Sequence, residues 1–370
     1  MRTLRRSLFA LSSFALLLGV GAAPVGATSP AGITPSASGW VVVRNPSVAS
    51  YHPKARDRGN STGGNVTVER TGMGTYRVTW AGLSAVGSGG LQVSALGSKM
   101  RHCLAYTWGS SGSDGYADVY CYRRTNNAAQ GYAAAVDSPF VAATVAESVP
   151  VTGNPGRLGY AWMNLYASSG TPSTGYNYTS PGGDITSAHM GTGTYVVTVP
   201  GVGKADGDVL VTGYVGSPSR CQVRDWSLSG VDLKASIDCV DMRGFLSDQD
   251  FDFLYLRRIG LEGFGSRMAA SLWADQPSAG SYHPDADYAW STNGKRATIK
   301  RTAKGVYAVT LPGMPAGGAA IAVAYGDVAS QHNCQIGSIR TKGTPQVVTV
   351  RCFGYTGAAA DSQFVLAYTH

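Results

Sequence analysis

Residues that could act as a catalytic nucleophile or base are few in this sequence. Segment 59–63 fits the G-x-S-x-G pattern around Ser61, but that pattern requires a sharp strand-to-helix turn, and here it lies in a polar, glycine-rich stretch. His52 and His283 each precede a proline at matching places in the chain, which indicates a role in the scaffold. The other histidines lack the H-E-x-x-H spacing of zinc proteases. The sequence therefore predicts no catalytic residue, no metal site and no cofactor.

Carboxylates offer a second kind of chemistry. Asp248, Asp250 and Asp252 alternate along a predicted strand, so their side chains would share one face. Paired carboxylates can hydrolyse glycosides or bind Ca²⁺. However, the D-x-x-F pattern aligns Asp250 with Asp137 and Asp361, which predicts a repeated turn or hydrogen-bonding position. A secreted hydrolase is therefore kept only as a second alternative.

Aromatic residues beside proline-containing turns are the best candidates for a binding surface. Tyr51 and Tyr282 occupy matching Ser-Tyr-His-Pro segments, and Tyr288 and Trp290 follow the second of these segments closely. Large aromatic side chains concentrate binding energy at interfaces. We expect these four residues to contact a sugar or a protein partner.

The cysteines reveal how the elements that position these residues are organised. Within each successive cysteine pair the separation is 18 residues, and two such positions on consecutive strands of a hairpin face each other. The predicted disulfides are Cys103–Cys121, Cys221–Cys239 and Cys334–Cys352.

Other landmarks keep the same register, so the chain is a threefold repeat. The motif G-x-Y-x-V-T recurs at 74–79, 193–198 and 305–310. Trp40, Trp162 and Trp273 mark the start of the copies and are predicted to pack in the core or between units. The predicted division is a signal peptide at 1–27 and β repeats at 28–145, 146–260 and 261–370, packed as one compact domain.

Each copy contains about eight short alternating segments separated by Gly- and Pro-containing turns, with no helical period. The predicted fold class is therefore all-β. Tight connections between the copies favour one closed β-propeller of six or seven blades, and three tandem β-sandwiches are the alternative.

The N-terminus predicts export. Arg2, Arg5 and Arg6 precede an apolar stretch at 8–23, and a small-residue cleavage site ends at Ala27. Both the general and the twin-arginine export routes fit this segment. The mature chain would carry 27 Lys and Arg against 22 Asp and Glu without a basic block. We expect a secreted, extracellular monomer with no membrane span and no nucleic-acid partner.

The repeated pattern, G-x-Y-x-V-T followed by the cysteine pair and an Asp before a Phe, resembles repeats of exported actinobacterial proteins. In its export signal, size and helix-poor architecture the chain also resembles the dispase autolysis-inducing protein. That resemblance implies a non-catalytic protein that binds secreted neutral metalloproteases of the thermolysin type and promotes their autolysis. A glycan-binding lectin or cell-wall module is the alternative function.

Overall fold

The computed structural model describes residues 36–130, 132–147, 153–214, 218–327 and 332–370. Strands make up 55% of the structure and helices 5%, which confirms the predicted all-β class. The predicted export signal at 1–27 lies outside the described residues.

The described residues of repeat 1 form ten strands and three short 3₁₀ helices. The strands are β1 Ala37–Val43, β2 Ser50–Tyr51, β3 Arg58–Asn60, β4 Val66–Gly72, β5 Thr75–Trp80, β6 Gly90–Ala95, β7 His102–Ser111, β8 Asp114–Arg124, β9 Ala133–Ala135 and β10 Phe140–Ala146; the 3₁₀ helices are Ala55–Asp57, Ser84–Ser88 and Ala128–Gln130.

In repeat 2, the residues that the structure describes form eight strands and one 3₁₀ helix. The strands are β11 Arg157–Met163, β12 Asn177–Thr179, β13 Thr186–Gly191, β14 Thr194–Val199, β15 Asp208–Gly213, β16 Ser219–Ser229, β17 Asp232–Asp241 and β18 Phe251–Arg257; the 3₁₀ helix is Thr174–Tyr176.

The described part of repeat 3 contains nine strands and one 3₁₀ helix. The strands are β19 Ala269–Ala274, β20 Ser281–Tyr282, β21 Ala289–Ser291, β22 Thr298–Ala303, β23 Val306–Leu311, β24 Ala319–Tyr325, β25 Asn333–Ile339, β26 Gln346–Phe353 and β27 Gln363–Thr369; the 3₁₀ helix is Ala286–Tyr288.

Each repeat contributes two antiparallel sets of strands with matching strand orders, which we call its inner and outer sheets. A single parallel bridge joins the outer sheet of repeat 2 to the inner sheet of repeat 3 in one eight-stranded sheet. The inner sheets have the orders β3-β1-β10-β6, β12-β11-β18-β15 and β21-β19-β27-β24, and the outer sheets have the orders β2-β4-β5-β8-β7, β13-β14-β17-β16 and β20-β22-β23-β26-β25. The first and last long strands of each repeat pair in the middle of its inner sheet. The described residues contain no closed barrel or propeller, and the architecture is that of paired sheets in each repeat.

Side-chain alternation explains the two layers. Strands β5, β14 and β23 of the outer sheets alternate buried and half-exposed positions, as expected for a sheet with one solvated face. Strands β10 and β18 are buried along their whole length, and β27 is buried at every residue after Gln363. In β1, Val41 and Val43 pack in the core of repeat 1, while Trp40 and Val42 belong to the large core formed with the other repeats. The inner sheets are thus covered on both faces.

The three repeats join in a closed cycle. At each junction, a single parallel bridge joins two neighbouring repeats. It links the end of one edge strand in the inner sheet of one repeat to the strand that carries the first cysteine of the other repeat. The bridges are Ala105–Tyr214 between repeats 1 and 2, Val223–Tyr325 between repeats 2 and 3, and Leu96–Ile336 between repeats 3 and 1. Residues 33–370 form one compact unit.

All three predicted disulfides are present and join directly opposed strand positions. A repeated carboxylate lies near each of them. The backbone N–H groups of Gly74, Gly193 and Gly305 donate to Asp137, Asp248 and Asp361, respectively. The alignment of Asp250 with Asp137 and Asp361 was therefore wrong by two residues, because D-x-x-F occurs both at Asp248–Phe251 and at Asp250–Phe253.

Candidate functional site

Four aromatic side chains meet at the junction of repeats 1 and 2. Trp108 lies on β7 of repeat 1, Trp162 on β11, Tyr176 at the end of the 3₁₀ helix Thr174–Tyr176, and Tyr214 directly after β15. We call these four residues the first aromatic cluster. Trp108 is buried and the other three rings are half-buried, so the cluster faces solvent from a rigid base.

The rings of the first cluster are arranged mostly edge to face. The Trp108 ring centroid lies 5.7 Å from that of Trp162, 5.5 Å from that of Tyr176 and 5.8 Å from that of Tyr214, with interplanar angles of 70°, 86° and 77°. Together with Thr107, these rings line an open cavity of about 70 Å³. One water needs about 10–15 Å³ of such space, so a small chemical group can enter.

The junction of repeats 2 and 3 carries the same arrangement. Its rings, the second aromatic cluster, are Trp226 on β16, Trp273 on β19, Tyr288 at the end of its 3₁₀ helix and Tyr325 at the end of β24. The Trp226 centroid lies 5.7 Å from that of Trp273, 6.0 Å from that of Tyr288 and 5.2 Å from that of Tyr325. Two independent parts of the sequence thus build one geometry.

Local strand structure explains why these tryptophans point into the junctions. The pairing of β7 with β8 shifts between Ala105 and Thr107, and the pairing of β16 with β17 shifts between Val223 and Asp225. Such a bulge re-aims the following side chains. The Trp108 indole N–H then donates to the Gly89 carbonyl oxygen at 2.8 Å, which fixes the ring.

The second cluster has the same anchor, because the Trp226 indole N–H donates to the Ala205 carbonyl oxygen at 3.2 Å. By contrast, the indole N–H groups of Trp162 and Trp273 are buried without a hydrogen-bond acceptor. In edge-to-face packing the positive edge of one ring faces the negative face of its neighbour. An indole N–H on that edge can therefore point at an aromatic ring when no hydrogen-bond acceptor is near.

The junction of repeats 3 and 1 lacks this cluster. Leu96 takes the place of Tyr214 and Tyr325 in the bridge, and Ile339, five residues after its cysteine, takes the place of the buried tryptophan. Trp40 is buried here, and its indole N–H donates to Glu262 Oε1 at 3.1 Å.

Carboxylates distinguish the two aromatic clusters. The Tyr325 hydroxyl donates to Asp225 Oδ1 at 3.0 Å. Burial, and after it the nearby carboxylates of Asp285, Asp287 and Asp225, raise the pKa of Tyr288. In the first cluster burial raises the pKa of Tyr214, with Asp250 as the nearest contributing carboxylate. The second cluster therefore lies in the more negative environment.

Of the four binding residues predicted from sequence, the structure places only Tyr288 in a cluster. Tyr51 packs half-buried against the core of repeat 1, and Tyr282 accepts a hydrogen bond from the Gln276 backbone at 3.2 Å. Burial raises the pKa of Tyr282 to about 12. Trp290 lines a separate cavity of about 120 Å³ beside Lys295. The four residues do not form one surface.

Sequence reasoning missed the buried tryptophans and the tyrosines that end the inner edge strands. Trp108 and Trp226 both lie five residues after the first cysteine of a pair, a signal that aligning the repeats by their disulfides would have shown. Trp162 and Trp273 were predicted as packing residues, and they do lie between repeats, but half-buried at the edge of an opening.

The predicted carboxylate strand offers no open pair. Asp252 is buried and accepts a hydrogen bond from the Gln92 amide at 2.9 Å, while Asp250 accepts one from the Tyr166 backbone at 2.9 Å. Burial raises the pKa of Asp252 well above its ordinary value. Among the described residues, no group of three or more His, Cys, Asp or Glu side chains could hold a metal ion.

A third cavity, of about 50 Å³, lies where all three repeats meet. His102, Arg220 and Asn333, each directly before a cysteine, line it from one repeat each. Burial, with Arg220 and Arg101 nearby, lowers the pKa of His102 to about 3, so its imidazole is neutral near pH 7. Different side chains at matching positions make this cavity polar but not threefold symmetric.

In comparisons with known proteins, no family model, no curated protein and no solved structure matches the chain. In the described part of the chain no helix has the length and apolar character to cross a membrane.

Proposed function

We propose that the protein is an exported binding protein, with no catalytic step of its own, that holds an extracellular protein through its two aromatic clusters. One observation carries the proposal: the same four-ring arrangement recurs at two junctions with similar ring distances. Both clusters combine a buried, hydrogen-bonded tryptophan with three half-buried rings. Tryptophan and tyrosine are the residues in which interface energy concentrates.

The ring geometry favours an inserted side chain over a stacked sugar. A sugar ring stacks on a flat and exposed aromatic face, as in open binding platforms. In the first cluster the planes of three neighbouring rings stand at 70° to 86° to the plane of buried Trp108, so the rings do not form a flat platform. What remains open is a small cavity beside Thr107. A pocket of this shape fits one side chain of a protein partner.

The scaffold supports this role. Trp108 and Trp226 lie five residues from a cysteine that a disulfide ties to the next strand, so little conformational freedom is lost when a partner binds. Two matching aromatic clusters on one compact unit also permit simultaneous contacts, which raises the overall affinity for a partner that presents the same group twice.

Secreted neutral metalloproteases are the candidate partners, on the basis of the sequence resemblance alone. The test is binding of the exported chain to immobilised thermolysin and, in parallel, to a glycan array. The key variant combines Tyr176→Ala and Tyr288→Ala, and Trp290→Ala, which alters a separate cavity, is the matched control.

We expect binding to thermolysin that the double variant weakens at least tenfold and the control leaves unchanged. Glycan binding that the same double variant abolishes would replace the protein partner with a carbohydrate. Absence of binding in both assays, or equal binding by wild type and double variant, would refute the proposal.

A further inference from the structure

The two aromatic clusters differ at one position that the fold makes equivalent. Thr107 follows the bulge of β7, and Asp225 follows the bulge of β16. Each lies next to the buried tryptophan, Trp108 or Trp226. Asp225 is exposed and accepts the hydroxyl hydrogen bond of Tyr325. One cluster therefore has a carboxylate at its rim where the other has a neutral hydroxyl.

Two further carboxylates strengthen this difference. Asp285 is the N-cap of the 3₁₀ helix that ends at Tyr288, Asp287 lies within that helix, and both are exposed. Among the described residues, no Lys, Arg or His side chain forms an ion pair with Asp225, Asp285 or Asp287. Their negative charge is thus available to a ligand.

Aromatic faces and carboxylates attract the same class of ligand. The quadrupole of a tryptophan or tyrosine ring is negative over its face, and cages of such rings bind quaternary ammonium groups and methylated lysine. A carboxylate at the rim adds direct charge attraction at short range. A sugar hydroxyl or an anion would gain little from this combination.

We propose that the second aromatic cluster, with Asp225 at its rim, is a binding site for an alkylammonium group, such as a lysine or methylated lysine side chain of the protein partner. The first cluster binds the same group more weakly because Thr107 replaces the carboxylate. This assignment rests on the proposed function, since it names the group that the partner inserts.

The test uses two soluble probes of nearly equal shape, choline and its neutral isostere 3,3-dimethylbutan-1-ol. Each is titrated into the full exported chain while the tryptophan indole N–H signals are followed by NMR, with sodium chloride added to match ionic strength. We expect choline to shift the signals of Trp226 and Trp273 at a lower concentration than those of Trp108 and Trp162. The neutral isostere should bind the second cluster at least several-fold more weakly than choline.

A reciprocal exchange supplies the matched variants. Asp225→Thr should weaken choline binding at the second cluster about threefold, the range of an exposed charge pair, and Thr107→Asp should strengthen it at the first cluster by a similar factor. Both positions lie at the rim of their cluster, so neither change should unfold the chain. Tyr288→Ala should weaken choline binding at the second cluster about tenfold through the lost ring face.

The proposal fails if choline shifts neither cluster, if the neutral isostere binds equally well, or if the exchange leaves the order of affinities unchanged. Failure here is separable from failure of the proposed function. Thermolysin binding that depends on Tyr176 and Tyr288 without choline binding would leave a partner that inserts an uncharged group. Choline binding without any macromolecular partner would leave the cation site and remove the protein-binding role.

Discussion

The junction of repeats 2 and 3 and the junction of repeats 3 and 1 occupy matching places in the ring but hold different contents. In the former, Trp273 stands among Trp226, Tyr288 and Tyr325. In the latter, the matching Trp40 is buried, and its N–H donates to Glu262. A conserved fold position can thus contribute to an open aromatic cluster or to a closed structural contact.

The difference comes from the residues around the tryptophan. Asp57 ends the 3₁₀ helix of repeat 1 where Tyr288 ends that of repeat 3, and its carboxylate accepts a hydrogen bond from Arg44 at 2.8 Å. Because an ion pair stands here where the other junctions have an aromatic ring, this junction lacks that ring as a surface for a ligand to contact. Within the described residues, half-buried aromatic rings therefore meet at the two junctions that have four aromatic positions, and an ion pair takes that place at the third.

The largest expected effect concerns the base of the second cluster. Trp226→Ala removes a buried ring and its hydrogen bond to the Ala205 carbonyl, so the free energy of unfolding should fall by about 3–5 kcal/mol. Denaturant unfolding with the disulfides intact measures this loss. Trp290→Ala, at a half-exposed ring, is the control and should cost clearly less. Equal losses would mean that Trp226 is not an anchored base.

A buried carboxylate at the same junction predicts a pH effect. Asp208 is fully buried and hydrogen-bonded to Ser271 of repeat 3, and burial raises its pKa from 3.8 to about 7. Because the folded state holds this proton more tightly than the unfolded state, the contribution of Asp208 to stability is greatest below pH 4 and is lost as pH rises from about 4 to about 7. The full difference corresponds to roughly 4 kcal/mol.

Asp208→Asn should therefore make the protein more stable at pH 7 and flatten the decline between pH 4 and pH 7, as thermal unfolding across that range can measure. Asp252 contributes a decline of the same sign, since burial raises its pKa as well. Asp361 has the opposite sign: Arg301 lowers its pKa to about 2, so its contribution is lost as pH falls from about 4 toward 2. An Asn variant with an unchanged pH profile would contradict the assignment to Asp208.

At the junction of repeats 3 and 1, which we call the closed junction, a smaller loss of stability is expected. Glu262→Ala removes the acceptor of both the Trp40 indole N–H and the Thr369 hydroxyl, which leaves a buried donor unpaired at a cost of about 1–3 kcal/mol. Denaturant unfolding measures the cost, and choline titration should show unchanged shifts at both aromatic clusters. Altered choline binding would show that the closed junction is coupled to the open ones.

The smallest expected effect concerns the hydroxyl group at the rim of the second aromatic cluster. Tyr325→Phe keeps the ring and removes only the hydroxyl that donates to Asp225, so stability should change by no more than about 1 kcal/mol. Choline binding should stay within about twofold of wild type because the aromatic face and the carboxylate both remain. Loss of choline binding in this variant would assign the affinity to the hydroxyl and not to the ring face.

The sequence predicted what local patterns encode. The equal spacing of the three cysteine pairs predicted the disulfides, and the alternation of apolar and polar side chains predicted the strands. The arrangement of the sheets was not predictable in this way, because the central pairs of the inner sheets, β1 with β10, β11 with β18 and β19 with β27, join strands about 100 residues apart. Side-chain alternation does not indicate which strand pairs with which.

The clusters were missed for a related reason. Tyr288 was identified beside a turn, but its neighbours Trp226 and Tyr325 come from other strands and, for Trp226, from another repeat. A bulge after Val223 decides where the Trp226 ring points, and no residue pattern in that strand marks the bulge. Alignment by the cysteines would have shown Trp108 beside Trp226 but not what either ring meets.

The central claim is that two junctions are open and the third is closed, and the indole N–H spectrum of the full chain tests it most directly. The chain has seven tryptophans, so each signal can be assigned with single Trp→Phe variants. On saturation with choline, the account predicts shifts at Trp108, Trp162, Trp226 and Trp273, and constant signals at Trp40, Trp80 and Trp290. A shift at Trp40 as large as that at Trp273, or constant signals throughout, would contradict it.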